Sequence, residues 1–463
     1  MQIPKKWMSE EHWEVPEKYV RSTVRNNKIE QELFPKYDVK RGLRNSNGTG
    51  VLVGLTSVGD VDGYKTENGQ KIATDGRLYY RGIEIRDIID GMQADHRFGF
   101  EETAYLLLFG ELPNKAELDE FKNLLGQKRG LPDGFTEDMI LKAPSKDIMN
   151  LLARSVLAAY SYDHNPDDIG VENVLRQSIE LIARFPTLAA YGYQAKSRYY
   201  NNKSLHIVSP KPQLSTAENF LYMIRPNNKY TQLEAELLDL AMVLHADHGG
   251  GNNSTFTIRV VTSSDTDTYS AVAAAVGSLK GFKHGGANIK VVEMVEDIKA
   301  NVRDWEDDEE ITSYLEKILL KQAYDNSGLI YGVGHAVYTI SDPRKVLLKA
   351  KAAELAREKG LEKEFLLYSA IERLIPEAFQ RVGRPDNKIL ANVDFYSGFV
   401  YDALNIPHEL FTPLFAISRI AGWCAHRVEE IISGGKIIRP AYKDVGEHKE
   451  YIPMANRGIY MIN

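Results

Sequence analysis

Four stretches hold residue types whose spacing can do chemistry. The first, Tyr331-Gly-Val-Gly-His335-Ala-Val-Tyr338-Thr-Ile-Ser-Asp342-Pro-Arg344, sets an imidazole nine residues before a guanidinium. Gly332 and Gly334 carry no Cβ, so the backbone between them can turn tightly and approach a ligand closely. Asp342-Pro343 reads as a helix N-cap followed by proline at the first helical position, which puts Arg344 in a first helical turn. Unpaired backbone N–H groups beside an arginine fork favour a carboxylate or a phosphate. Taken alone, the stretch reads equally well as a glycine turn before an ordinary helix with a solvated Arg344.

The second stretch, Gly281-Phe-Lys-His284-Gly-Gly-Ala-Asn288, places His284 just ahead of a helical run, 289–298. The positive end of a helix disfavours imidazolium, and a neutral ring there can donate a hydrogen bond. The third, Asn392-Val-Asp394-Phe-Tyr396-Ser397-Gly398, sets Asp394 among apolar and aromatic neighbours. Burial would raise its pKa toward that of a general base, although an isolated aspartate more often caps a helix or a turn. One carboxylate base with two imidazole donors suits enolisation beside a carbonyl, followed by carbon–carbon bond formation.

The fourth stretch runs from Leu244-His245-Ala-Asp247-His248 through three glycines to Asn252-Asn253-Ser254-Thr255. His245 and His248 are three apart and with Asp247 could ligate a metal. The glycines break the helix after His248 and the HExxH pattern is absent, so no metal is expected and His245 reads first as a structural histidine.

The elements that must position these groups are mostly helices. Apolar residues at helical spacing predict helices over 100–110, 231–244, 271–279, 345–359, 365–374, 411–421 and 419–433, with Gly110, Gly360 and Gly434 as stops. Strand character is confined to 51–80, where Leu52, Val53, Leu55 and Val58 precede Gly59-Asp60, and Asp75-Gly76 precedes Leu78-Tyr79-Tyr80. The fold class expected is mainly α with a small β-hairpin near the N-terminus. Residues 1–50, with Trp7, Trp13, Tyr19, Phe34 and Tyr37, read as an amphipathic helical extension packed on the body or on a second subunit.

With 463 residues, 43% of them hydrophobic, the chain can bury a large core in more than one domain. Its 57 basic and 64 acidic residues give a net charge of −7, which argues against a nucleic-acid partner. The single cysteine, Cys424, excludes an intrachain disulfide and fits a reducing compartment. No apolar run approaches a membrane span, and the acidic residues near the start fit neither a signal nor a transit peptide, so a cytoplasmic protein is expected.

Together the stretches around His284, His335 and Asp394 resemble, in order, the active-site motifs of citrate synthase, and Tyr80-Arg81-Gly82 and 100–110 resemble its large-domain segments. The likeness runs from about residue 51 onward. It implies a two-domain helical fold with residues 1–50 as an extension, 51–285 and 406–463 as a large domain, and 286–405 as a small domain closing over the substrates. It implies that Asp394 deprotonates acetyl-CoA, His284 hydrogen-bonds the enol oxygen, and His335 polarises the oxaloacetate ketone, with citryl-CoA then hydrolysed to citrate and CoA. His248, Arg344 and Arg419 would hold oxaloacetate, with Arg439 reaching in from the partner of a homodimer, a higher assembly being the other option. The backbone of Leu329, Ile330, Tyr331, Gly332 and Val333 would cradle CoA. Relatives carry a basic residue four positions after the histidine matched by His335; Thr339 stands there here, so Lys388 or Arg384 is expected to meet the CoA phosphates. No cofactor is implied, because acetyl-CoA is a substrate. Alternatives are a 2-methylcitrate synthase using propionyl-CoA, a metal-dependent hydrolase built on His245, Asp247 and His248, and a catalytically silent binding protein.

Overall fold

The computed structural model describes residues 15–46, 48–67, 70–384, 389–454 and 457. Trp7, Trp13 and Lys388 lie outside them. The described helices run α1 (Glu17–Asn26), α2 (Leu33–Lys36), α3 (Ile85–Ala94), α4 (Phe100–Phe109), α5 (Lys115–Lys128), α6 (Ile148–Ala159), α7 (Val171–Tyr200), α8 (Thr216–Ile224) and α9 (Gln232–His245). They continue as α10 (Asn253–Thr262), α11 (Thr268–Lys280), α12 (Ala287–Asn301), α13 (Asp308–Leu319), α14 (Pro343–Lys359), α15 (Glu362–Arg381), α16 (Val393–Ala403) and α17 (Phe411–Ile432). Among the described residues the sheet has three antiparallel strands, β1 (Gly59–Glu67), β2 (Gln70–Tyr80) and β3 (Ile83–Glu84), in that order.

The spine is α17, buried continuously from Phe411 to Val428. It packs on α4, α7, α9, α10 and α11. A helix buried all round needs apolar residues on every face, which is why 411–421 and 419–433 carry no clear polar stripe and form one helix rather than two. A second set, α12 to α16, packs mainly within itself and meets the first through α14 on α9, α12 on α17 and α16 on α9. The two sets touch where the four chemical stretches lie.

The hairpin differs from expectation. Residues 51–58 form no strand, and Leu52 and Leu55 are 85% and 86% exposed. Gly59 opens β1 rather than making a turn, and Asp75-Gly76 lies inside β2. Both glycines serve close approach. A Cβ on Gly59 would collide with the Asp247 carboxylate, and one on Gly76 with Ser341 O and the Tyr338 ring. Glycine within a strand is the residue that permits such contact.

No described residue of the N-terminal segment 15–50 is buried. Helix α1 buries no residue, and Tyr19 and Tyr37 are exposed. The partners of its aromatic residues are local cations: the Arg41 guanidinium lies 4.2 Å over Phe34, and Lys18 and Lys36 lie 5.0 and 5.5 Å over Tyr19 and Tyr37. The last residues of the segment meet the body, where Arg44 and Gly50 line a cavity with Val61 and Ala336.

Candidate active site

The loop from Ile330 to Asp342 is held between the hairpin and α16. Gly334 N donates to Leu390 O at 2.8 Å, Asn392 N donates to Gly332 O at 2.9 Å, and Asn392 Nδ2 donates to Gly334 O at 3.0 Å. Gly332 has φ +73° and sits against Phe395 and Val291 with no room for a side chain. On the other side Ser341 Oγ donates to Asp75 at 2.8 Å, and the Tyr338 hydroxyl reaches Arg77 O at 3.4 Å. Tyr338 in turn stacks on His335, with ring centroids 4.3 Å apart. The hairpin therefore orients His335 through an aromatic neighbour.

His335 Nδ1 accepts from Val337 N at 3.1 Å and from Tyr338 N at 3.0 Å. A ring nitrogen that accepts twice carries no proton, so the neutral ring is protonated on Nε2 and presents that N–H as a donor. Burial, with help from Arg344, pushes its pKa down to about 4. His248 stands edge-on to it at 5.1 Å, its Nε2 buried without a partner. Burial and the Arg344 charge hold His248 well below its usual pKa.

His248 lies on the turn after α9, which docks on α17. Gly422 N donates to Ala246 O at 3.2 Å, and a Cβ at 422 would strike that turn. The Tyr80 hydroxyl donates toward Val243 O at 2.9 Å and secures the end of α9 from the hairpin side. Asp247 is committed elsewhere: it accepts from His426 Nε2 at 3.1 Å and Gly249 N at 2.8 Å. His245 Nδ1 donates to Ala241 O at 2.7 Å inside its own helix. The trio 245, 247 and 248 thus faces three ways, and among the described residues no group of three or more such side chains is placed to hold a metal ion.

His284 lies in the turn before α12, fastened to α17 by Thr412 Oγ1 donating to Gly285 O at 3.1 Å. Its Nε2 is 3.1 Å from both Asn252 Oδ1 and Ser254 Oγ. Trp423 Nε1 donates to that serine at 3.1 Å, leaving the hydroxyl one proton to give to His284 or to Asn252. Burial, then the nearby Arg419 charge, pushes the His284 pKa down to about 4, so both rings are neutral at pH 7.

Arg419 is the least satisfied group of the site. It is fully buried, its Nε donates to His245 O at 2.6 Å, and its guanidinium lies 4.7 Å over the Phe415 ring. Nη1 and Nη2 are buried without a partner in the chain. Burial lowers its pKa to about 10, which leaves it a cation. Unpaired buried donors are costly, so two on one cation mark an anion site. Arg344 differs from expectation: its fork is closed onto its own N-cap, with Nε 3.0 Å and Nη2 2.8 Å from the Asp342 carboxylate. Its Nη1/Nη2 end, with both Nη1 hydrogens and the second one on Nη2, is left for a ligand.

Asp394 sits on the first turn of α16, where Asn392 caps the helix by accepting from Asp394 N at 3.0 Å. Burial pushes its pKa up to about 6, against the lowering pull of Arg344 and Arg419. A carboxylate between two cations that still titrates near neutrality is poised to take and return a proton.

The remaining candidates stand apart. Arg439 is exposed on the extended segment after α17. Leu329 is half exposed, Ile330 is buried, and Val333 is bridged to Ala391. Arg384 caps carbonyls of Leu319 and Gly328 at 3.5 and 3.4 Å. Beside Ala336 and Val337, Arg44, Val61 and Asp62 help to line a cavity of about 390 Å³. Sequence reasoning missed Arg44, Ser254, Trp423 and Phe415 as neighbours of the site; of these only Ser254 lies within a stretch that the motif spacing had picked out.

A family model described as "Citrate synthase, C-terminal domain" matches residues 46–441. A citrate synthase from Synechocystis sp. is 34% identical over 88% of this chain and 92% of its own length. A 2-methylcitrate synthase from Shewanella oneidensis is 32% identical over 82% of this chain and 92% of its own. The structure of the Thermoplasma acidophilum citrate synthase in ternary complex with carboxymethyl coenzyme A and oxaloacetate aligns with a TM-score of 0.73 and 27% identity. That alignment covers 90% of this chain and 99% of that one.

Proposed function

We infer the part played by each residue from one premise: the chain belongs to the citrate synthase family. Its reaction is an acyl transfer, the Claisen-type condensation of acetyl-CoA with oxaloacetate, followed by hydrolysis of citryl-CoA. Asp394 removes a methyl proton from acetyl-CoA. Neutral His284 donates to the thioester oxygen as it gains enol character. His335, through Nε2–H, polarises the oxaloacetate ketone that the enol carbon attacks. The new bond joins the acetyl methyl carbon to the ketone carbon, and water then cleaves the thioester to release citrate and CoA.

Oxaloacetate is held by the open Nη1/Nη2 edges of Arg419 and Arg344 and by His248. Arg439 from a second copy completes the grip, which makes the working form a homodimer. The observation that carries this reading is Asp394, raised to about 6 by burial beside the unpaired fork of Arg419. CoA runs along the backbone of 329–333, and Arg44 at the mouth of the cavity beside Ala336 supplies a cation for its phosphates where Thr339 cannot. Residues 286–405 move as a small domain over the rest and exclude water from the enol. The scheme calls on no metal or cofactor. The lone cysteine suits a cytoplasmic setting, and no described helix is long and apolar enough to cross a membrane.

The test is free-thiol release from acetyl-CoA with and without oxaloacetate, repeated with propionyl-CoA. Oxaloacetate-dependent release favouring acetyl-CoA is expected. A strong preference for propionyl-CoA would support the 2-methylcitrate reading that the Shewanella relative keeps open, since one methylene is worth only about 1–3 kcal/mol in a pocket. No release with either substrate would refute the assignment.

A further inference from the structure

Asp342 is completely buried, and its carboxylate is fully occupied. Oδ1 accepts from Arg344 N and Arg344 Nε, both at 3.0 Å. Oδ2 accepts from Arg344 Nη2 at 2.8 Å and from Val393 N at 3.1 Å. A carboxylate offers about four lone-pair sites, so none is left for a ligand. Val393 N is the first N–H of α16, one residue before Asp394, whereas Arg344 stands on the first turn of α14. One carboxylate therefore ties together the two helix starts that carry the base and an arginine of the substrate pocket.

We propose that Asp342 is a positioning residue for the reaction, holding the Arg344 fork edge-on to the substrate and fixing the first turn of α16 that presents Asp394. The inference rests on the roles given above to Arg344 and Asp394. Its geometry explains why Arg344 presents its Nη1/Nη2 end: the Nε–H and one Nη2–H are held by Asp342, so the guanidinium cannot rotate between productive and unproductive poses. Its charge matters as well. The charged and titratable groups set around Asp394 are Asp342 at the N-cap of α14, Arg344 on α14, Arg419 on α17 and Tyr401 on α16 itself. On the far side of α16, Tyr396 donates to Glu372 of α15, which Lys345 and Lys349 of α14 neutralise. From α12 the buried polar neighbour is Asn288, which does not titrate. Asp342 is the anion of this set that offsets Arg344, and it keeps Asp394 a competent base.

Asp342→Asn retains an acceptor for the helix cap but turns the other oxygen, which serves Nη2 and Val393 N, into a donor. Asp342→Glu keeps the charge and displaces the fork. Both are compared with the wild type in steady-state kinetics across pH, normalised to titrated active sites. The Asn variant is expected to raise the oxaloacetate KM about 10- to 100-fold, as a misplaced binding group does. Its acid limb in kcat/KM should move to lower pH by about one unit, because Arg344 is left uncompensated. The Glu variant should keep the raised KM and return the acid limb to its wild-type position. A purely structural Asp342 would lower the melting temperature and leave KM and acid limb unchanged in the folded fraction; that result overturns the proposal. If the Asn variant does not fold, Asp342→Ser, which keeps the cap, is read by the same two criteria. Lack of oxaloacetate-dependent thiol release in the wild type would instead sink the functional reading beneath it.

Discussion

Arg419 gives the sharpest separation of function from stability. Consider Arg419→Met, which keeps the length of the side chain and the contact with Phe415. In the free protein the variant loses the charge-assisted Nε bond to His245 O, worth about 1.5–3 kcal/mol. It also removes two buried donors that have no partner, each costing about 1–3 kcal/mol where left unmade. The two effects oppose each other, so the ligand-free variant is expected to be as stable as the wild type or slightly more so. Binding goes the other way. Two charge-assisted bonds from Nη1 and Nη2 to a carboxylate, at about 1.5–3 kcal/mol each, sum to about 3–6 kcal/mol. That is roughly a 10²- to 10⁴-fold loss of oxaloacetate affinity. Calorimetric titration measures the affinity, and thermal melts with and without oxaloacetate measure the linkage. At 100 times Kd the wild type should gain about 2.7 kcal/mol, and the variant almost nothing at the same concentration. A variant that loses several kcal/mol of ligand-free stability and still binds oxaloacetate normally would refute the reasoning, because Arg419 would then be a structural cation.

Asp394→Asn should lower kcat by about 10²- to 10⁴-fold with oxaloacetate binding nearly intact, as loss of a general base does; unchanged turnover would remove Asp394 from the mechanism. Wild-type kcat/KM should fall as pH drops through about 6, where Asp394 gains its proton, and no histidine limb should appear above about 5, since His284 and His335 titrate near 4. Gly76→Ala should cost about 1–3 kcal/mol and lower activity by pushing Tyr338 and the His335 loop, whereas Gly91→Ala, with open space around it, should do neither; equal melts and rates for the two would show that the hairpin does not seat the loop. Mixing inactive Arg439→Ala and Asp394→Asn subunits and allowing exchange should recover about a quarter of wild-type activity if Arg439 serves its partner, and none if it does not.

Motif chemistry was legible in the chain because it is local. Asp342-Pro343 as a helix start and Gly360 as its stop follow from backbone valence and from which side chains can satisfy a helix end within three residues. The helices followed from apolar spacing, and the family from the order of the motifs. Residues 51–58 were misread because Leu52, Val53, Leu55 and Val58 have strand-like composition, although only Val58 among them is buried. The close approaches at Gly59 and Gly76 were not legible, because a missing Cβ has the same appearance in sequence whether it serves a positive φ or a neighbouring segment.

What only the tertiary structure decided is who stands beside whom. Arg344 and Arg419 look alike in sequence, yet one has its fork closed by Asp342 and the other has two buried nitrogens with no partner. His245 and His248 are three residues apart, but a helix carbonyl occupies one and the other faces His335 across 87 residues of chain. Proton affinity at His284, His335 and Asp394 depends on burial and on charges brought in from other helices. Those are long-range terms that only packing creates, and no local pattern encodes them.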